Sequence, residues 1–470
     1  MPARATTVPL PNSLPVIASA APVIARERSD RSNLFLTPTK QNFLWMMLGN
    51  GVYALCQWGM LVALAKLGSP QVVGQFALAL AITAPVVMVT NMQLRAVQAT
   101  DAKKEYRLSD YVSVRAVSAL LAMGLTGAIV SLGRFERAAL LAVLMMALAK
   151  AVESLSDVFY GFFQQNEHMV YIAVSRILKG ALSIAVLAGV FHMSGNLALA
   201  LAGLAGAWLL VFVFYDCRVG RRLAAVYEPA GQTALLRSAA HSAQKRRSSL
   251  WSIVVLAFPL GIVMGILSLN TNVPRYAIET LLGSRELGLF AALAYTTVAV
   301  NMFIQALGQA VTPKLAQFFA AGNLKAFKRL LFKVIFLNAA IGLLGVGVIR
   351  MAGEQILTLL YTREYAAYAN LFMWLMAAAA LLGVASALGY AMTAARQFKP
   401  QVPLFAGVLL CTALFSFWLI PQYKLYGAVM ALMGSALIQI TGSALVIARS
   451  EATKQSDAKR HHEPTVREAW

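Results

Sequence analysis

Apolar positions in this chain neither alternate nor keep to one narrow face. They run for about twenty residues at a stretch, stop at a polar segment and start again, twelve times in all. The runs cover residues 42–64, 72–91, 111–132, 138–163, 170–192 and 197–215. After a polar interval they resume at 250–271, 287–310, 332–352, 367–393, 402–420 and 427–447. Wound as α-helix, roughly 20 apolar residues cross about 30 Å of hydrocarbon. The pattern predicts an all-α polytopic membrane protein of about twelve transmembrane helices. It also divides the chain into a first six-span unit (42–215), a basic connector (216–249), a second six-span unit (250–447) and a tail (448–470).

Residues 1–41 carry no sustained periodicity. The apolar stretch 16–25 has the length of a signal-peptide core, but Pro15 and Pro22 interrupt it and Arg26, Glu27 and Arg28 follow where small residues would guide cleavage. The segment reads as a disordered basic tail.

The two units repeat one another. Leu67-Gly68-Ser69 precedes Gly74-x-Phe76-Ala77, and Leu282-Gly283-Ser284 precedes Gly288-x-Phe290-Ala291. The offset is 215 residues and then 214, which lays the second span on the eighth. Because six is even, halves related in this way share one orientation, about an axis along the membrane normal. Paired halves around a central cleft are the architecture of a transporter.

Composition agrees with lipid as the solvent. Charged residues make up 13% of the 470 and hydrophobic residues 59%, whereas a soluble chain carries about 25% charge. That excludes a soluble multidomain protein. The formal net charge of +21 would suggest nucleic acid in a soluble domain, but here it follows from basic residues gathering in cytoplasmic loops. Counted with the loops they adjoin, 28 Lys and Arg fall on the side of the N-terminus and 8 on the other. The chain is therefore expected to sit with both termini inside. Cys56, Cys217 and Cys411 lie far apart and the five histidines form no ligand pattern, so neither a disulfide framework nor a metal site is expected.

Charges inside spans carry the chemistry, because each costs about 2.5–3.5 kcal/mol at mid-span. The fourth span holds Lys150, Glu153 and Asp157, with Gly161 and Gln164 continuing the stripe, and the fifth holds Arg176 and Lys179 on one face. At about 1.5 Å per residue, Asp157 comes level with Arg176 and Glu153 with Lys179. Two readings stand together: two ion pairs fastening a helical hairpin, or charges lining a cavity that binds substrate or a coupling ion. Lys150 has no partner in this arithmetic and is the leading candidate for a cavity cation. Arg95, near Asn91 and Gln93, lies where the second span ends. Asn270, Asn272 and Arg275 gather about Pro274, as either a capped helix end or a broken, gate-forming one. The outer segments reach only about 15 residues (272–286 and 353–367), short for a membrane ligase or glycosyltransferase. No catalytic constellation, Walker A motif or cofactor-binding pattern is present.

Five stretches taken in order give the chain a resemblance. They are Gly74-Gln75-Phe76-Ala77 through Gln93-Leu94-Arg95, the run from Lys150 through Glu153 and Asp157 to Gly161, and Asn272-Val273-Pro274-Arg275-Tyr276. Later come Leu359 to Ala366 and Pro421 to Ala428. Over roughly residues 40–447 the chain resembles the polysaccharide-transport, Wzx-type oligosaccharide flippase branch of the superfamily that also holds MATE exporters. The resemblance implies two six-helix bundles opening alternately in a bacterial inner membrane. It implies an undecaprenyl-pyrophosphate-linked oligosaccharide as cargo, and polymerases and glycosyltransferases of surface-polysaccharide synthesis as partners. Family cavities are commonly cationic, which puts forward Arg95, Lys150, Arg176, Lys179 and Arg275 beside Asn270 and Asn272. Glu153 and Asp157 depart from a purely cationic lining, as proton-coupling groups or as neutralising partners. The rival readings are a MATE-like exporter of small cations, a membrane enzyme acting on lipid-linked sugars, and a non-transporting scaffold.

Overall fold

The computed structural model describes residues 38–101, 104–133, 136–228 and 243–462. Most of the segment read as an N-terminal tail, the middle of the connector (229–242) and the last eight residues lie outside the described residues. The first half comprises α1 (Pro38–Leu67), α2 (Pro70–Asn91), α3 (Leu94–Thr100), α4 (Leu108–Leu132), α5 (Arg137–Gln165), α6 (Met169–Ser194) and α7 (Leu197–Val211). One π-helical turn (Phe212–Asp216) then leads into α8 (Cys217–Tyr227). The second half comprises α9 (Ala243–Leu282), α10 (Ser284–Thr296), α11 (Val298–Ala320), α12 (Leu324–Leu360), α13 (Arg363–Ala366), α14 (Ala369–Ala394), α15 (Phe398–Tyr423) and α16 (Leu425–His462). Among the described residues, eleven helices are long and apolar enough to cross a membrane. The pair α10 and α11, bent by 46°, supplies a twelfth span.

Each expected span is present, and most run past their expected ends. The largest departures correct the reading of the outer segments. α9 passes through Pro274 to Leu282, so Asn270, Asn272 and Arg275 sit within a continuous helix, not at a capped or broken end. α12 likewise kinks at Ala352 (φ −132°, ψ 17°) and continues to Leu360. The two outer segments expected at about 15 residues are thus mostly helix. Hydropathy marks the part of a helix that faces lipid, and polar extensions beyond the hydrocarbon keep their backbone bonds without an apolar signature.

α2 is the seam between the halves, with α9 and α10 packed along it. Without a hydrophobic force between helices in lipid, close approach rests on small residues. A Cβ on Gly74 would fall 1.7 Å from the Ser284 carbonyl oxygen, and one on Gly288 would fall 1.7 Å from that of Pro70. The two copies of the repeat therefore meet backbone to backbone. Around them Trp58 Nε1 donates to the Tyr361 hydroxyl (3.4 Å), Tyr361 donates to the Ala292 carbonyl (2.8 Å), and Lys66 Nζ donates to the Leu359 carbonyl (2.9 Å).

The apolar cores differ between the two ends, with α9 packed on the first half at both. At the Gly74–Gly288 end a single cluster runs through both halves, from Leu61, Val73 and Phe76 to Phe290, Tyr365 and Leu371. At the other end there are two. One is built on Leu94, Tyr111, Phe163 and Ile253, the other on Leu315, Phe327, Leu388 and Met392. The molecule is sealed at one end and divided at the other.

Candidate functional site

A cavity of about 520 Å³ lies in the divided part of the first half. Its walls are the last two turns of α2, the start of α3, the C-terminal half of α5, the middle of α6, and Tyr53 of α1. Asn91 on its rim is some 25 Å along α2 from Gly74. Six charged residues line it: Arg95, Lys150, Arg176 and Lys179, with Glu153 and Asp157.

Arg95 reaches the cavity because the chain breaks twice in the left-handed region, at Met92 (φ 49°) and Gln93 (φ 52°), before α3 begins. Gly161 then admits α3 against α5, since a Cβ there would meet Gln98 Oε1 at 2.4 Å and Arg95 Cα at 3.3 Å. Arg95 Nη1 lies 3.5 Å from Asp157 Oδ1, its Nε donates to Gln164 Oε1 (3.1 Å), and its guanidinium lies 5.6 Å from the Tyr160 ring centre. The second oxygen of Asp157 faces Arg115 Nη2, also at 3.5 Å. Arg115 is fully buried and donates to the carbonyl of Asn91 (3.2 Å), so it braces the end of α2 from behind.

Lys150 Nζ is 2.8 Å from Glu153 Oε2 and 5.4 Å from the Trp208 ring centre. The other oxygen of Glu153 accepts from the Tyr53 hydroxyl (2.5 Å). Lys179 turns away from the cavity: Nζ donates to Asp216 Oδ2 and to the Tyr160 hydroxyl, each at 3.1 Å. The π-helical turn at the end of α7 places Asp216 there, with no exposed surface. Arg176 donates to Asn50 Oδ1 and lies between the rings of Tyr53 and Tyr160, at 5.8 and 5.7 Å from their centres. Among the described residues, no carboxylate forms an ion pair with it.

The two expected hairpin pairs do not form. Asp157 is shared by Arg95 and Arg115 instead of meeting Arg176, and Glu153 meets Lys150 instead of Lys179. Level depth is necessary for a pair but leaves azimuth open. α5 and α6 are consecutive yet touch little, α6 packing on α1 and α7 while α5 packs on α2, α4 and α7. Lys150 is accordingly not the unpaired cation; Arg176 is. Arg275 lies outside this cavity, donating to Asn272 Oδ1 (2.8 Å), and Asn270 accepts from Thr412 (2.7 Å). Residues missed in the sequence are Arg115, Asp216, Tyr53 and Asn50. For Asp216 the available signal was a lone acid closing an apolar run of some twenty residues.

Residues 39–319 match the polysaccharide biosynthesis protein family. The chain belongs to that family. It is 28% identical over 402 residues to the capsular polysaccharide biosynthesis protein CapF of Staphylococcus aureus, covering 85% of this chain and 97% of that protein. Its fold is similar to that of the lipid II flippase MurJ in an inward closed conformation (TM-score 0.67, 11% identity, 89% of this chain and 91% of that one). It is also similar to a multidrug resistance MATE family transporter in its inward-facing conformation (TM-score 0.57, 14% identity, 93% and 99%). At these identities the likeness is one of architecture: two six-helix bundles of the MATE type. The chemistry must be argued from this family member's own cavity.

Proposed function

We propose that this protein is a flippase that carries an undecaprenyl-pyrophosphate-linked oligosaccharide across the bacterial inner membrane by alternating access. The observation that carries the reading is the cationic cavity, with Arg95, Lys150 and Arg176 against Glu153 and Asp157 once Lys179 is matched by Asp216, set in the divided end of a polysaccharide-biosynthesis family member. A surplus of acid would have favoured the export of small cations; the surplus is basic. A pyrophosphate entering here would meet Arg176 directly, in surroundings of low dielectric where charge-assisted bonds are strongest.

Two further cations can turn to the ligand without stranding a partner. Asp157 keeps Arg115 if Arg95 moves, and Glu153 keeps the Tyr53 hydroxyl if Lys150 moves. Protonation of Asp157 or Glu153 would loosen the same cations, which makes these carboxylates the candidates for coupling to a proton. In the orientation set by the basic loops, the cavity opens to the cytoplasm and the Gly74–Gly288 end faces outward.

Transport tests the reading. In proteoliposomes loaded with lipid-linked oligosaccharide extracted from the host, Arg176→Ala should insert and fold as wild type does, since its loss leaves no acid unpaired. Transport should fall about 10- to 100-fold, the worth of one hydrogen bond to a charged phosphate. Arg176→Lys should recover only part, because the planar fork is lost. Unchanged transport by Arg176→Ala would remove the pyrophosphate from this cavity.

Orientation has its own test. With Cys56, Cys217 and Cys411 replaced, a cysteine at the exposed Arg285 position should react with an impermeant thiol reagent in intact cells. One at Arg396 should react only after permeabilisation. The reverse pattern would invert the topology and with it the direction of transport.

A further inference from the structure

A row of amides on α11 has a chemistry of its own. Asn301, Gln305 and Gln309 stand at i, i+4 and i+8 on α11, within an arc of about 80°. Gln305 and Gln309 are exposed and Asn301 half-buried. Their side chains have no hydrogen-bond partner among the described residues. The face beside the row is packed, Gly308 against Tyr390 and Ile304 against Gly383 of α14. In a membrane span, a row of carboxamides does not face lipid tails; such groups turn to a neighbouring helix or to a wet cavity. No helix covers this row, for α11 contacts α12 and α14 and the 46° bend after α10 carries it off α2.

The repeat says where the row points. Carried on from Gly74 and Gly288, the offset of 214 residues matches Asn301, Gln305 and Gln309 to Val87, Asn91 and Arg95. All three of these line the cationic cavity. The symmetric contact at Gly74 and Gly288 relates these positions, and on that relation the row is assigned to the far side of the cleft from the cavity.

We propose that Asn301, Gln305 and Gln309 form the saccharide-binding wall of the cleft, taking the neutral hydroxyl and acetamido groups of the cargo while the basic wall takes its pyrophosphate. This rests on the reading of the cavity given above. A carboxamide offers an acceptor and two donors side by side, which matches the paired donor and acceptor character of sugar hydroxyls. It adds no charge that would hold a neutral glycan by electrostatics.

The test uses the full-length protein in nanodiscs and two probes, undecaprenyl pyrophosphate and the undecaprenyl-pyrophosphate-linked oligosaccharide extracted from the host. Wild type should bind the glycosylated lipid more tightly. The triple variant Asn301→Leu, Gln305→Leu, Gln309→Leu should lose about tenfold for the glycosylated lipid, the worth of several neutral hydrogen bonds, and nothing for the bare one. Arg176→Ala should weaken both. Equal weakening of both lipids by the triple variant, or of neither, would overturn the saccharide wall while leaving the cationic site standing. Wild type binding neither lipid would overturn the flippase reading and this inference with it. A second measurement does not depend on the triple variant folding. Gln305→Cys, in a background without native cysteines, should react with an impermeant thiol reagent in inside-out vesicles and be protected by the glycosylated lipid only. An unreactive cysteine there would show that the row does not line an aqueous cleft.

Discussion

Asp216→Ala should destabilise the protein by about 3–5 kcal/mol, the usual result of removing one member of a buried pair and leaving the other charged. Lys179 has 2% of its side chain exposed and Asp216 none. Among the described residues, the only other hydrogen-bond partner of the ammonium is the Tyr160 hydroxyl, itself engaged with Ser175 Oγ at 2.7 Å. The orphaned ammonium would have to shed its proton or draw water into the junction of α5, α6 and α7. Thermal unfolding in detergent and the amount of protein in the membrane should both drop sharply. The double variant Asp216→Leu, Lys179→Met should recover most of the loss, because apolar groups of similar volume replace such pairs at little cost. If Asp216→Ala is as stable as wild type yet fails to transport, the pair is part of the transport machinery instead of its scaffold.

The sealed end should be as sensitive to a single methyl group. Gly288→Ala sets a Cβ 1.7 Å from the Pro70 carbonyl oxygen, and Gly74→Ala does the same to that of Ser284. The obstructing atoms are backbone, so no rotamer change relieves the clash and the two helices must part. Either variant should shift the population away from the state described here, by roughly tenfold for each 1.4 kcal/mol of strain. Transport should fall at least in proportion, because a carrier that cannot seal one end cannot alternate. A thiol crosslinker joining Lys66→Cys to Leu359→Cys reads the shift directly, since those positions meet across the seam. Its yield should drop in both glycine variants and by similar amounts, given the symmetric contact. Full yield and normal transport in Gly288→Ala would mean that the two repeats need not touch for sealing.

The spans were legible because the bilayer imposes one requirement on every crossing, a long apolar stretch, whatever its neighbours. The identity of the charged residues was legible for a related reason: a charge kept inside a span is costly and stands out. Which charge meets which was not. Lys150 and Glu153 are three residues apart on one helix and pair locally, but Asp157 meets Arg95 and Arg115 from two other helices. The packing of α3 on α5, permitted at Gly161, and that of α4 on α5 bring them there. Asp216 escaped because it closes the sixth apolar run and so reads as the first residue of a connector. The helix in fact continues through a π-helical turn to Tyr227. Pro274 misled in the opposite sense, since proline ends helices in water but is tolerated within them in a membrane, where neighbouring helices and polar side chains re-satisfy the freed backbone groups.

The charge of the cleft is one-sided, and that bears on the half of the cycle in which nothing is carried. On the proposed alternating-access cycle, a carrier emptied outside has to bring its walls together and reopen inward. Two basic walls derived faithfully from one duplicated unit would repel across a narrow gap of low dielectric, and the empty protein would stall apart. In the proposed cleft, amides at Gln305 and Gln309 set across from Asn91 and Arg95 would remove that repulsion, so the unloaded return should be fast. Charge introduced by Gln305→Lys and Gln309→Lys should slow net transport while sparing lipid-for-lipid exchange, in which the carrier never returns empty.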